Sequence, residues 1–269
     1  MWGFIFLVFV KVKLIFNIHE DMLRIFSMRK LLLFFTAIMF SLLNSCVQES
    51  ALSDVDIDDP SIIKPVISID KSINTNSIIY TNTTWLFDKN NNSIELKSGE
   101  VKMNNIDMTL KRGINNEPYY TIEPFDILPF RLDYTYESEI SLSDEEVYAS
   151  RVITRGKDLY QLNVPAEHNK NEDIQISWAD TENDEELVLT LVLTGSDDST
   201  TYIDVYKFNI SYPLSGSYTV SKNYFINRPE INKAQLTLEA INTGEINKSF
   251  MNGSKITSTI SITRFVNLK

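Results

Sequence analysis

One cysteine, two histidines, eight glycines and eight prolines are all that 269 residues supply of the types that build crosslinks, zinc sites, phosphate loops and rigid linkers. A single thiol closes no disulfide within the chain, so packing alone must hold the fold. From residue 46 onward Cys46 and His168 are the only soft ligands, too few for a typical zinc site. No G-x-G-x-x-G or G-x-x-x-x-G-K spacing occurs, which removes the phosphate-cradling loops of nucleotide enzymes. His168 follows Pro165-Ala166-Glu167 with no glycine elbow or serine motif beside it, so a Ser-His-Asp relay has no support in the pattern.

Positive charge is scarce as well. The chain carries 25 Lys and Arg against 36 Asp and Glu. Residues 1–45 hold five of those bases (Lys11, Lys13, Arg24, Arg29, Lys30) and only two of the acids (Glu20, Asp21), which leaves 20 against 34 from Cys46 onward, a net of −14. A surface this acidic repels phosphate backbones, so nucleic acid is excluded as a general partner. Glycine and proline are too few for a low-complexity chain, and 43% hydrophobic residues suffice for one or two compact domains.

Long apolar runs are confined to the first 45 residues. Met28-Arg29-Lys30 precedes an apolar run over 31–43, broken only by Thr36 and Ser41, and Asn44-Ser45-Cys46 follows. A basic start, a short hydrophobic stretch and a small residue before a cut are the three parts of a secretory signal, and the run falls short of the roughly 20 residues of a membrane span. Leu43-Asn44-Ser45-Cys46 resembles the lipobox of bacterial lipoproteins, although Asn44 departs from the usual small residue. The resemblance implies cleavage before Cys46 and a covalent lipid on its thiol, hence a membrane partner. Residues 1–27 hold a further apolar stretch, read as lying upstream of a true initiator at Met28, the alternative being an extra membrane segment.

After Cys46 an acidic stretch containing Asp54, Asp56, Asp58 and Asp59 reads as a solvated tether over 46–64. It also resembles the surface-export signal of Bacteroidota lipoproteins, which implies the outer face of the outer membrane. A periplasm-facing location is the alternative.

From residue 65 the pattern becomes short runs of period-two alternation between polar turns, the mark of strands. Strands are predicted over 66–69, 78–87, 99–103, 132–142, 147–154, 159–164, 174–178, 187–194, 202–211, 234–242 and 256–266. Turns are predicted at 88–92, 112–118 and 143–146, and the last strand is placed at or near a sheet edge. The class is all-β, expected as two tandem immunoglobulin-like antiparallel β-sandwiches over 65–168 and 169–269, hinged near 165–170; a single larger sandwich is the competitor. Region 213–231 is the least strand-like and is expected to hold a short helix or a crossover. Trp85 and Trp178, each early in its half, loosely resemble the fibronectin type III and immunoglobulin-like pattern, which implies two core tryptophans.

Few residues point to chemistry. Asp180, Glu182, Asp184 and Glu186 alternate in one loop and offer hard oxygens for calcium, but the EF-hand glycine is missing, so a solvated acidic hairpin is the expected state. Tyrosines are plentiful; those near Tyr212 to Phe225 are candidates for a sugar- or protein-binding face, the rest for core. The expected function is therefore a non-catalytic binding or structural module at the cell surface, with a protein or glycan ligand and no cofactor. A carboxylate-dependent glycoside hydrolase and a fibre or pilus subunit are the alternatives.

Overall fold

The computed structural model describes residues 51–124, 127–155, 161–179, 186–196, 201–210 and 216–269. Residues Gln48–Lys269 form one compact unit. Its first half contains β1 (Lys64–Ile73), β2 (Ile78–Phe87), β3 (Glu100–Met103), β4 (Ile106–Asp107), β5 (Thr109–Arg112), β6 (Pro118–Thr121), β7 (Thr135–Ser141) and β8 (Val147–Ile153). Its second half contains β9 (Gln161–Asn163), β10 (Glu167–His168), β11 (Ile174–Ala179), β12 (Glu186–Ser196), β13 (Thr201–Ile210), β14 (Gly216–Val220), β15 (Ile231–Thr243) and β16 (Lys255–Leu268).

The all-β class expected from alternation is what the chain adopts, in sheets paired mostly antiparallel and without a closed barrel. Nine strands make one large sheet in the order β13-β12-β15-β16-β1-β2-β6-β5, with β10 attached to β16. Two smaller sheets, β4-β3-β7-β8 and β14-β11-β9, each pack on it. Each small sheet encloses its own core. In the first, Ile67, Ile69 and Leu86 meet Val101, Met103, Tyr136, Ile140 and Val152. In the second, Leu189, Leu191, Leu238 and Ile262 meet Ile174, Ile176 and Trp178.

The two expected sandwiches thus share a layer. β1, from the first half, runs parallel to β16 from Val66 opposite Lys255 to Ile73 opposite Ile262. β16 lies between β15 and β1 and feeds both cores, Ile256 the first and Ile260, Ile262 and Val266 the second. Its placement at an edge is therefore corrected. Thr257, Thr259 and Ser261, which alternate with its inward residues, line the outer face of an interior strand. The hinge near 165–170 is likewise pinned, since β10 pairs with β16 at Asn267 and Leu268.

Other differences have local causes. The turn region 112–118 is flanked by two short strands, β5 and β6, which pair with each other and join β2 through Thr121 and Tyr120. Four-residue strands around Gly113 and Asn116 carry too few alternating residues to stand out from their turns. Region 213–231 holds β14 and then a 3-10 turn at Lys222–Tyr224, where the Ser221 hydroxyl accepts the Asn223 N–H at 3.3 Å. The acidic stretch expected as a solvated tether is docked at its far end. Ile57 and Ile63 are buried in the first core, and the Ile57 carbonyl accepts the Ser143 N–H at 2.9 Å.

The outer face of the large sheet is a carpet of hydroxyls around Asp70, with Ser68, Ser72, Thr81 and Thr83 on β1 and β2 and Thr257, Thr259 and Ser261 on β16. Burial pushes the Asp70 carboxyl above its ordinary 3.8, Glu239 adds like-charge repulsion, and the Ser68 and Thr259 hydroxyls pull the other way. An acid whose pKa rises on folding costs nothing below the unfolded value. Stability is lost as the pH climbs from 3.8 through the raised folded value, and the whole cost is present above it. Asp70→Asn is therefore expected to raise the melting temperature at pH 7 and to leave it nearly unchanged near pH 3, as read by scanning calorimetry.

Candidate functional site

β8 alternates strictly, with Tyr148, Ser150 and Val152 buried and Val147, Ala149, Arg151 and Ile153 outward. It is an edge of its four-stranded sheet, but its midpoint is closed by the segment that follows β15. The Arg151 N–H donates to the Glu245 carbonyl at 2.9 Å and the Glu245 N–H returns to the Arg151 carbonyl at 2.7 Å. Above this backbone bridge the Arg151 Nε and Nη2 both donate to Glu245 Oε2, at 2.9 and 2.7 Å. Both side chains are mostly exposed, so solvent screening keeps the ion pair to about 0–1 kcal/mol. The backbone bridge is the stronger fastening, reinforced where the Ser150 hydroxyl accepts the Asn247 N–H at 3.0 Å.

Two hollows flank that pair. The larger, about 530 Å³, lies between the end of β8 and the end of β15, within the roughly 300–1,000 Å³ of small-molecule sites. Arg151, Arg155, Glu245, Asn242, Thr135 and Thr243 supply its polar side chains. The smaller, about 270 Å³, lies on the other side of the same Arg151 and Glu245, beside Glu137 and Ala149. A separate hollow of about 580 Å³ near Gly99 and Ser141 has Glu100 and Glu145 as its charges and no cation.

Asn242 distinguishes the large cleft. On β15 the inward positions Ala234, Leu236, Leu238 and Ala240 are apolar, and Asn242 takes the next inward place, 8% exposed. Among the described residues no hydrogen bond reaches its side-chain amide. Its amide keeps contact with the solvent of the cleft, so it can exchange that water for the polar groups of a ligand. The polar residue that ends the apolar alternation of 234–240 is the signal that sequence reasoning passed over.

Gly244 sets the closeness of the walls. A Cβ there would stand 2.2 Å from the Arg151 carbonyl oxygen and 2.6 Å from Val152 Cβ, so only glycine lets the backbone reach β8. Gly244→Ala is expected to force the two apart and cost about 1–3 kcal/mol, read as a lower denaturation midpoint.

The residues singled out from the sequence lie elsewhere. Cys46, Leu43, Asn44, Ser45, Asp180, Glu182 and Asp184 fall outside the described residues; Glu186 is exposed at the start of β12. Among the described residues no group of three His, Cys, Asp or Glu gathers to hold a metal. His168 sits on β10, its Nε2 3.0 Å from the Glu172 carbonyl. No family model matches the chain, and no curated protein matches it. The site therefore has to be read from its own chemistry.

The aromatic expectations divide. Trp178 is buried in the second core, but Trp85 stands on the outer face of β2, stacked on Tyr119 at 4.8 Å and 22° and beside Phe87 at 6.2 Å and 5°. Its assignment to a core is corrected, because the inward set on β2 is Asn82, Thr84 and Leu86. In the region proposed as a binding face, Phe225 is fully buried, and Tyr218 and Tyr224 pack on Phe208 at 5.3 and 5.7 Å. That group closes a core instead of offering a surface; Tyr212 lies outside the described residues.

Proposed function

We propose that the chain is a lipid-anchored binding protein on the outer face of a bacterial outer membrane, without catalysis of its own, whose cleft beside Asn242 seats a saccharide. The lipobox-like Leu43 to Cys46 and the acidic run behind it support the address. The Asn242 amide, which lines a cleft of guanidinium and hydroxyl groups and makes no side-chain hydrogen bond among the described residues, supports the ligand class. An amide presents a donor and an acceptor in one plane, which suits a pair of neighbouring sugar hydroxyls. Among the described residues that line the cleft Glu245 is the one carboxylate, and Arg151 holds it, which does not favour two-carboxylate hydrolysis.

Detergent-solubilised full chain applied to an oligosaccharide array is expected to retain a subset of glycans. Asn242→Ala is expected to weaken that retention about tenfold, the loss of one well-placed polar contact. The variant should melt no lower than the parent, since the amide makes no internal bond. A folded chain that retains no glycan would remove this reading.

A further inference from the structure

The most exposed large apolar side chain among the described residues is Ile114, which stands fully in solvent at the tip of the β5–β6 hairpin. The turn beneath it is closed by the Gly113 N–H donating to the Glu117 carbonyl at 2.9 Å and the Asn116 N–H to the Gly113 carbonyl at 3.0 Å. Glycine and asparagine suit such a turn, but Ile114 gives neither core anything in return for its exposure. One exposed isoleucine is ordinary by itself; what surrounds this one is not.

Arg112, at the end of β5, donates to the Asn116 carbonyl at 3.2 Å and pairs with Glu95. The Glu95 N–H is in turn held by the Ser53 hydroxyl at 2.9 Å. The start of the described chain is thus fastened beside the hairpin turn, and Val55, two residues on, is a second exposed apolar side chain. Seven residue steps separate Ser53 from Cys46, a reach of at most about 25 Å when fully extended. Two amphipathic rings border the same turn. Tyr119 stacks on Trp85 at 4.8 Å, and Trp85 Cη2 lies 3.7 Å from where a Cβ on Gly113 would stand. Tryptophan and tyrosine are the residues that gather at membrane–water interfaces, where one end is apolar and the other wet.

Resting on the lipid-anchored reading of Cys46, we propose that the β5–β6 hairpin is a second membrane contact, with Ile114 entering the interfacial layer of the leaflet that holds the lipid and Trp85 and Tyr119 level with its headgroups. The contact orients the body; it does not hold it. Even a whole acyl chain gives an association constant of only about 10⁴ M⁻¹, so one isoleucine with two ring edges keeps no free protein on a bilayer. On a tethered chain the same contact is intramolecular, at an effective concentration on the order of millimolar, and a contact of millimolar strength is then made about half the time. A second copy of the chain is a poorer occupant, because a hairpin tip covers far less than the roughly 1,200 Å² of a stable interface, whereas a bilayer needs no matching surface.

The test uses the full lipidated chain in phosphatidylcholine vesicles, which carry no net charge. An environment-sensitive fluorophore is placed on Ile114→Cys or, as a control, on Val205→Cys, an exposed position of β13 at the opposite edge of the large sheet. Lipid spin-labelled near the headgroup is expected to quench the probe at 114 at least threefold more than the probe at 205. With the probe on Asn115→Cys, adding Ile114→Asp should lower the quenching at least threefold while flotation with the vesicles and the melting temperature stay unchanged, since both residues are exposed.

Equal quenching at 114 and 205, on chains that float, would overturn the contact and spare the lipid anchor. Quenching at 115 that ignores Ile114→Asp would reduce the hairpin to a bystander near the bilayer and defeat the inference. A blue shift that grows with protein density, without quenching by the labelled lipid, would assign the hairpin to a second copy instead. A chain that does not float at all would remove the lipid-anchored reading, and this contact with it.

Discussion

With Cys46 replaced by serine, labelled palmitate should no longer enter the protein, and the chain should move from the membrane pellet to the soluble fraction. Each acyl methylene buried in a bilayer is worth about 0.8 kcal/mol, and one chain alone gives only an association constant of about 10⁴ M⁻¹, so stable attachment needs the two or more chains that a lipidated cysteine carries. With 34 acidic against 20 basic residues the chain from Cys46 onward is repelled by anionic headgroups, and among the described residues no helix is long and apolar enough to cross a bilayer. Serine offers no thiol for the lipid, so the loss should be nearly complete. Retention of the serine variant in the pellet, with residues 1–45 still attached by mass spectrometry, would make the leader itself the anchor and defeat the lipidation reading.

Period-two alternation made most individual strands legible. Residues 78–87 were bounded as the structure has them, and 147–154 and 174–178 differ by a single residue at one end. Strand order was not legible, because backbone hydrogen bonds leave no mark on side-chain pattern. The parallel pairing of β1 with β16 joins residues about 190 apart, and the Ser68 to Asp70 and Thr257 to Thr259 stretches look equally suited to an edge or an interior. The candidate cleft was hidden for the same reason. Arg151 and Glu245 lie 94 residues apart, and neither is unusual until the bridge brings them together. Asn242 was visible only as one polar letter where an apolar run stops.

The largest loss of stability is expected from Trp178→Ala, and its contrast with Trp85→Ala tests the architecture directly. In Thr84-Trp85-Leu86 and Ser177-Trp178-Ala179 the two residues look alike. A strand shifted by one residue reverses every side chain, so parity decides which indole is inside. On β2 the inward places belong to Asn82 and Thr84, and their polarity disguised the core face. Asn82 is satisfied by donating to the Leu128 carbonyl at 3.0 Å, and the Thr84 hydroxyl reaches Met108 Sδ at 3.5 Å. On β11 the inward places are Ile174, Ile176 and Trp178, and the indole lies over Gly216 of β14, where a Cβ would come within 2.8 Å of the ring. Gly216, the cross-strand neighbour, has no side chain to fill the space that alanine would leave. A buried Trp→Ala change costs about 3–5 kcal/mol, whereas a stacked, partly exposed ring is worth about 0.5–1.5 kcal/mol beyond its area. At about 2–4 °C per kcal/mol for a domain of this size, Trp178→Ala should melt roughly 6–20 °C lower and Trp85→Ala only a few degrees lower. Differential scanning calorimetry of the two variants checks both. Equal losses, or a larger loss for Trp85→Ala, would mean that β2 turns its other face to the core, and the large sheet as described would be wrong.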